Sequence, residues 1–271
     1  MMKTNTYNKL ANKLKAQEKI NLLFVSPNYD KIYPYSKVEM KYFDKDKFNC
    51  DLMFITNSNV EHVIDLFLTS KKYDCIVNLC DGYVGNTNNI PGVNFIQELE
   101  KNGIPYTGSD ERVFSLAKSD LAGCENTPKS IHYLDYLNDE KCIDQLHFPL
   151  FVKPNNLGCS EFIDTNSLVK SKKELNLQLQ KILKETYDII IQEFIDGDEY
   201  TALVFRNRFG KIICLNPMKI KMDKTEANFL TNCTKLEGFD DIAYEFFIHD
   251  TISKSIKENC IKVYEKLNLP S

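Results

Sequence analysis

The 271-residue sequence is informative first through what it lacks. No apolar run approaches the ~18 residues that a membrane-crossing helix needs. Residues 1–19 are polar and lysine-rich with no apolar h-region, so no secretory signal is expected. Arginine is nearly absent, with only Arg112, Arg206 and Arg208, and the formal net charge is -4. An acidic balance of this kind argues against general nucleic-acid binding. The nine cysteines form no CxxC pair, and their number is odd. A chain this long needs no disulfide staples, so free thiols in a reducing cytoplasm are expected. His62, His132, His147 and His249 stand singly, whereas a zinc site needs clustered ligands. What remains, 43% apolar and 27% charged residues, is an ordinary soluble globular composition with room for about two domains.

Hydrophobic patterning then sets the order of elements. Residues 20–25 are a short apolar run ending at Ser26-Pro27-Asn28, which predicts a buried parallel strand and a loop. Residues 51–55 and 73–79 predict two more strands, the latter ending at Asp81-Gly82. Helices are predicted over 60–70 and from Pro91 to Lys101, and 104–106 begins another short strand. This alternation implies a parallel sheet with helices on its faces, with ligands beyond the carboxyl ends of its strands, as in the loop at 80–89. Farther on, strands are predicted over 148–152, 161–164 and 188–191, and an amphipathic helix over 172–185. Residues 200–205 and 211–215 flank a glycine-containing loop and predict a hairpin. Residues 218–240 read as a long loop, and 250–267 as a final helix capped by Asp250 or Thr251.

Three segments carry chemistry. A strand ending in Lys153, followed by Pro154, Gly158, Cys159 and Ser160, gathers one ammonium and several backbone N–H groups at one point. That combination suits a triphosphate. On spacing alone it reads more simply as an edge lysine and a turn. Around Gln192, Glu193, Phe194 and Ile195 a strand stops and restarts, which exposes backbone groups able to read an adenine edge. Glu199, seven residues past Gln192, is placed to accept from ribose hydroxyls. The plain alternative is a strand–turn–strand with solvated acids. The third segment pairs the junctions at 78–82 and 104–109.

Taken in order, YDCIVNLCDG (73–82), GIPYTGSDERVF (103–114), FPLFVKPNNLGCSEFIDTNSLV (148–169), IIIQEFIDGDEYTALV (189–204) and NFLTNCTKLEGFDDIAYEF (228–246) resemble the ATP-grasp superfamily, and within it the D-alanine–D-alanine ligase-like enzymes. The resemblance covers about residues 20–271. It implies a mixed α/β and α+β chain: a polar leader (1–19), a Rossmann-like pre-ATP-grasp domain (20–109), a central lid subdomain (110–196) and an incomplete C-terminal ATP-grasp subdomain (197–271). It implies ATP and Mg²⁺ as cofactors and a small carboxylate and amine, amino acid or peptide-like, as substrates. The carboxylate is phosphorylated and the amine attacks the acyl phosphate, with electrostatics supplying much of the catalysis. It leaves room for a homodimer and calls for neither nucleic acid nor membrane.

Position by position, Lys153 resembles the lysine on the α/β-phosphates. Gly158, Cys159 and Ser160 resemble the loop over the β/γ-phosphates. Gln192, Glu193, Phe194 and Ile195 resemble the adenine hinge, and Glu199 the ribose carboxylate. Lys235 resembles the lysine of the loop covering the γ-phosphate. Lys235 and Ser160 are thus the expected catalytic pair, with Lys118 as the candidate for a further nucleotide lysine.

The sequence also departs from the family pattern. Cys159 and Phe162 stand where Ser or Gly, and Gly, are usual, and a Phe at the loop end restricts closure. The segment at 115–126 is shorter than the family's lysine-bearing helix, with Lys118 as its substitute. Ser26-Pro27-Asn28-Tyr29-Asp30 replaces the Gly-Gly-x-Ser-x-Glu signature, so D-alanine is not implied as substrate. The Arg-x-Asp motif, and a Glu-x-Asn motif in a suitable setting, which hold Mg²⁺ in the family, are not found before Ser271. The expectation is a chain inactive on its own, with a nucleotide-binding pseudoenzyme or interaction module as the alternative.

Overall fold

Helix α1 (Thr4–Lys15) leads into strand β1 (Ile20–Ser26), whose residues are buried almost throughout. The computed structural model describes residues 4–27, 43–80, 89–158, 160–207, 209–222, 229–232, 243–246 and 250–269. They fall into two compact units, 1–115 and 116–269. In the first, β1 is the centre of a parallel sheet, order β2-β1-β3, with β2 (Phe48–Phe54) and β3 (Cys75–Asn78). The period-two alternation of side chains sends Leu23 and Val25 to one face and Ile20, Leu22 and Phe24 to the other. The first face packs with Ile76, with Val63, Ile64 and Phe67 of α2 (Val60–Ser70), and with Phe95, Ile96 and Leu99 of α3 (Val93–Lys101). The second packs with Cys75, Val77, Phe43 and Leu10 of α1. Burial on both faces is why this strand reads as a continuous apolar run, and each fully buried aliphatic side chain contributes about 1.5–3 kcal/mol.

The polar leader is therefore partly structural. Its helix also brings Lys13 and Lys9 to the buried Asp74, at 2.6 and 3.2 Å. The Asn21 amide donates to the same carboxylate at 3.0 Å. Burial by itself raises the Asp74 pKa, but Lys13, the Asn21 amide and Lys9 outweigh it and hold the carboxyl below its ordinary value. The short strand expected at 104–106 reduces to a single parallel bridge between Ile76 and Tyr106. Pro105 has no N–H to extend it, although its carbonyl accepts from Ile76 at 2.9 Å. A one-turn helix α4 (Glu111–Phe114), capped by the Asp110 side chain, closes this unit.

The second unit begins with a 3-10 turn (Lys118–Leu121) and centres on an antiparallel sheet, order β4-β7-β5-β6. The strands are β4 (Ser130–His132), β5 (Leu150–Pro154), β6 (Leu168–Val169) and β7 (Ile189–Glu193), and α5 (Tyr133–Asn138) follows β4. One sheet face holds Leu150, Val152, Ile189 and Ile191 against Leu175, Leu179 and Ile182 of α6 (Lys172–Ile182). The i, i+4, i+7 spacing of those three residues makes the helix amphipathic. Ser171 caps it by accepting from the Glu174 amide at 3.3 Å, while Glu174 accepts from the Lys170 amide.

Three expectations fail here. Residues 161–164 are a turn rather than a strand: Ser160 and Phe162 have φ of 56° and 57°, a left-handed backbone that no strand accommodates. Asp164 then caps a 3-10 turn (Thr165–Ser167), and the strand comes later, as β6. Residues 218–240 are not all loop, because β11 (Met218–Lys221) is the centre of a sheet, order β12-β11-β8, with β8 (Glu199–Thr201) and β12 (Ala243–Phe246). Its alternation is strand-like: Ile220 is buried, while Lys219 and Lys221 pair with Asp198 and Glu245, each at 2.7 Å. The stretch expected to be one strand at 200–205 is divided between β8 and β9 (Val204–Arg206), and β9 forms the anticipated hairpin with β10 (Ile212–Cys214). Helix α7 (Asp250–Lys266) follows, with the Arg206 guanidinium 5.8 Å from the ring centre of its Tyr264. Among the described residues no helix is long and apolar enough to cross a membrane.

Candidate functional site

On β5, Leu150, Val152 and Pro154 are buried, and Phe151 and Lys153 between them are half-buried. Alternation places Phe151 and Lys153 on the sheet face away from α6. The antiparallel register sets Phe151 opposite Gln192 and Lys153 opposite Ile190, so Gln192 shares that face. Lys153 Nζ donates to Gln192 Oε1 at 2.9 Å and lies 5.7 Å from the centre of the Phe151 ring. Burial pulls the Lys153 ammonium below its ordinary pKa, and Glu199 acts in the opposite direction. The β5–β7 pairing thus brings Lys153 and Gln192 together, while Glu199, on β8 (Glu199–Thr201) of the other sheet, lies near enough to act on the Lys153 charge. A cation placed in partly dry surroundings with so little compensation favours an anion as its neighbour.

Three aromatic rings border the same face. Phe151 stacks on Phe194 with centroids 6.0 Å apart, and Phe229 meets Phe151 edge-on at 4.8 Å and Phe194 at 6.2 Å. They give flat apolar surfaces beside a lysine, a combination suited to a heteroaromatic ring carrying negative charge.

The loop after β5 carries the second cation. Lys118 Nζ donates to the carbonyls of Asn155 and Leu157, at 3.2 and 2.7 Å, directly before Gly158. Lys118 therefore sits on the loop that the sequence assigned to phosphate. A Cβ on Gly158 would meet nothing within 4 Å, so this part of the loop borders open space. Ser160 follows in left-handed conformation. Cys159, Lys235, the loop at 81–88 and Asn28 to Asp30 lie outside the described residues.

The proposed hinge divides. Gln192 and Glu193 belong to β7 rather than to a break after it. The Glu193 amide donates to Lys129 O and the Phe194 amide to Pro149 O, at 2.9 and 3.0 Å. The Glu193 carboxylate accepts from His147 through both its amide and Nδ1, at 3.0 and 2.9 Å. The His147 side-chain bond, then the amide bond, holds that carboxyl below its usual value. The Glu193 side chain is thus engaged by His147 and takes no part in the bond between Lys153 and Gln192. Ile195 is exposed. Sequence reasoning missed Phe151, Phe229 and Asn155. The first was readable from the alternation that pairs it with Lys153, and Asn155 had no signal because its partners are distant in sequence. Among the described residues no group of three or more His, Cys, Asp or Glu side chains is gathered as cation ligands would be.

Comparison with known proteins points the same way. The family described as D-ala D-ala ligase C-terminus matches residues 128–270. A D-alanine–D-alanine ligase of Flavobacterium johnsoniae is 26% identical, over 92% of this chain and 82% of that protein. Among solved structures, the D-alanine–D-alanine ligase of Bacillus anthracis complexed with ATP superposes with a TM-score of 0.63 at 21% identity, covering 92% of this chain and 78% of that one. The VanG D-Ala:D-Ser ligase of Enterococcus faecalis gives 0.62 at 19% identity, covering 92% and 83%. At those identities the structural likeness shows the fold, which is ATP-grasp.

Proposed function

The chain belongs to the D-Ala–D-Ala ligase C-terminus family, and from that premise we propose that it is a nucleotide-gripping ATP-grasp protein of the carboxylate–amine ligase type. In that chemistry the γ-phosphoryl group passes from ATP to a carboxylate oxygen and ADP leaves. The amine nitrogen then attacks the acyl carbon, phosphate departs with the bonding pair, and the nitrogen loses a proton. The observation that supports the reading is Lys153, a half-buried ammonium with a lowered pKa, bonded to Gln192 beside three phenylalanines.

In this reading Lys153 neutralises the α/β-phosphates, and Glu199 accepts from the ribose hydroxyls. The rings of Phe151, Phe194 and Phe229 and the backbone at Ile195 border the adenine. Gly158 and Ser160, with Cys159, close over the β/γ-phosphates beside Lys118, and Lys235 serves the γ-phosphate. Among the described residues no donor set fits Mg²⁺. We assign residues 20–109 to the pre-ATP-grasp domain, 110–196 to the lid and 197–271 to the C-terminal subdomain. A small amino-acid-like carboxylate and amine are the proposed substrates. A cytoplasmic setting suits the seven described cysteines, which are free thiols.

A second reading is nucleotide binding without turnover. Phe162, at the loop end, is 40% exposed and held at φ 57°, so a bulky ring and a strained backbone stand where closure over phosphate requires movement. The test is calorimetry and thermal shift with ATP, followed by phosphate release with panels of D- and L-amino acids. ATP at a hundredfold over Kd adds ~2.7 kcal/mol of stability. Amide formation supports ligase activity, and binding without phosphate release supports the second reading. Absence of any ATP-dependent shift, with or without Mg²⁺, overturns both.

A further inference from the structure

We propose that Asn155 is a positioning residue for the phosphate end of this site: its buried carboxamide locks the turn bearing Lys118 to the loop that leads into Gly158, and so fixes where the Lys118 ammonium stands. The proposal rests on the nucleotide reading above and adds to it a residue with no expected ligand contact.

Asn155 is 6% exposed, and each of its polar atoms is bonded. Its amide donates to Asp188 O at 2.9 Å, and its carbonyl accepts from the Lys118 amide at 3.0 Å and from Lys118 Nζ at 3.2 Å. In the side chain, Oδ1 accepts from the Ser119 amide at 2.8 Å, and Nδ2 donates to Ser119 Oγ at 3.0 Å and to Asp188 Oδ1 at 2.9 Å. The same Asp188 oxygen bonds His132 Nε2 at 2.8 Å. Three segments distant in sequence thus meet at one carboxamide, and His132 joins them through Asp188. Its orientation is determined by its partners, because only the NH₂ can face the Asp188 carboxylate and only the oxygen can face the Ser119 N–H.

An aspartate here would set two carboxylates side by side, and an alanine would leave the Ser119 amide without its acceptor. Either change loosens the 118–119 turn, which then holds to the loop through backbone carbonyls alone. Lys118 donates both its amide and its ammonium to the carbonyl of Asn155, and the ammonium also donates to Leu157 O at 2.7 Å, so a shift of the 155–157 backbone displaces the cation directly. Displacement of a charged group by about 1 Å is enough to lose much of its interaction with a phosphate.

The experiment measures ATP and adenosine binding by calorimetry for the full chain and for Asn155→Ala, Lys118→Ala and the double variant, with folding followed by circular dichroism. The expected result is that Asn155→Ala weakens ATP binding about tenfold and leaves adenosine unchanged. Lys118→Ala does the same, and the double variant is no weaker than Lys118→Ala alone, because Asn155 acts through that lysine. Ser119→Ala, a milder change for use if Asn155→Ala does not fold, weakens ATP selectively by a smaller factor. The proposal is overturned by unchanged ATP affinity in the folded variants, by equal loss of ATP and adenosine, or by additive losses in the double variant. Failure of the unaltered chain to bind ATP overturns the nucleotide reading itself, and this role with it. Normal ATP binding by the unaltered chain with no effect of Asn155→Ala overturns this role alone.

Discussion

β1 and β5 are both interior strands of their sheets, yet β1 carries no charged residue and β5 carries Lys153. The difference lies in what covers the second face. β1 is packed on both sides by apolar side chains, from α2 and α3 on one and from α1 and Phe43 on the other. β5 is packed by α6 on one side only, and its other face holds Lys153, Gln192 and three rings. A strand whose two faces both serve stability reads as an unbroken hydrophobic run. A strand with one face kept for a ligand interrupts that run with a residue that weakens the fold in isolation. Under the proposed nucleotide reading Lys153 is such a residue, because burial lowers its pKa and so disfavours its charge in the folded chain.

The comparison is broken most directly by truncating each strand at its buried or half-buried centre. Leu23→Ala in β1 is expected to cost about 2–5 kcal/mol of stability, because a fully buried leucine leaves a cavity. Lys153→Met is expected to change stability by less than about 1 kcal/mol while weakening ATP about a hundredfold, or ~2.7 kcal/mol. Denaturant melts and calorimetry on both variants check the contrast. Equal destabilisation by both would mean that Lys153 is a packing residue. The pH dependence gives an independent check. A lysine whose folded pKa is lowered penalises folding at neutral pH, and the penalty is relieved as pH rises past that value toward the ordinary 10.5. The unaltered chain should therefore gain stability relative to Lys153→Met across that alkaline window.

Asp74 supplies the opposite sign. Its side chain is 3% exposed and held by Lys13, Lys9 and the Asn21 amide, and its pKa lies below 3.8. Its stabilisation is present above the ordinary carboxylate pKa and is lost as pH falls through the depressed folded value. Asp74→Asn is expected to cost about 1–3 kcal/mol at neutral pH, with the difference from the unaltered chain shrinking below pH 3.8. Thermal melts at several pH values decide it, and a difference that persists undiminished in acid would show that the carboxylate charge is not the source.

These two residues also show which parts of the fold were legible in the sequence. The parallel sheet was readable because apolar runs such as 20–25 report burial on both faces. Lys153 was readable as a strand-end lysine before a glycine loop. β11 was hidden because Met218-Lys-Ile-Lys221 alternates over only four residues and is sheltered by strands on either side. The assembly around Asn155 was hidden more completely, since Ser119 and Asp188 lie 36 and 33 positions away and no local pattern joins them. The engagement of the Glu193 carboxylate was hidden for the same reason: its partner His147 is 46 residues upstream.

The smallest expected effect separates the two readings of function. Phe162 is held at φ 57°, where a side chain with a Cβ is disfavoured by about 1–2 kcal/mol. Glycine adopts that backbone freely, but it loses about 0.5–1 kcal/mol to the greater entropy of its unfolded chain. Phe162→Gly should therefore leave stability unchanged or raise it by no more than about 1.5 kcal/mol. Its functional consequence is larger than its stability consequence. If the exposed ring is what keeps the 158–163 loop from closing, the glycine variant should gain ATP-dependent protection of that loop from proteolysis, and phosphate release should rise with it. If protection appears without phosphate release, the ring limits closure only, and the absence of turnover has another origin. If neither changes, Phe162 is a tolerated surface residue, and the difference between β1 and β5 owes nothing to the loop that follows β5.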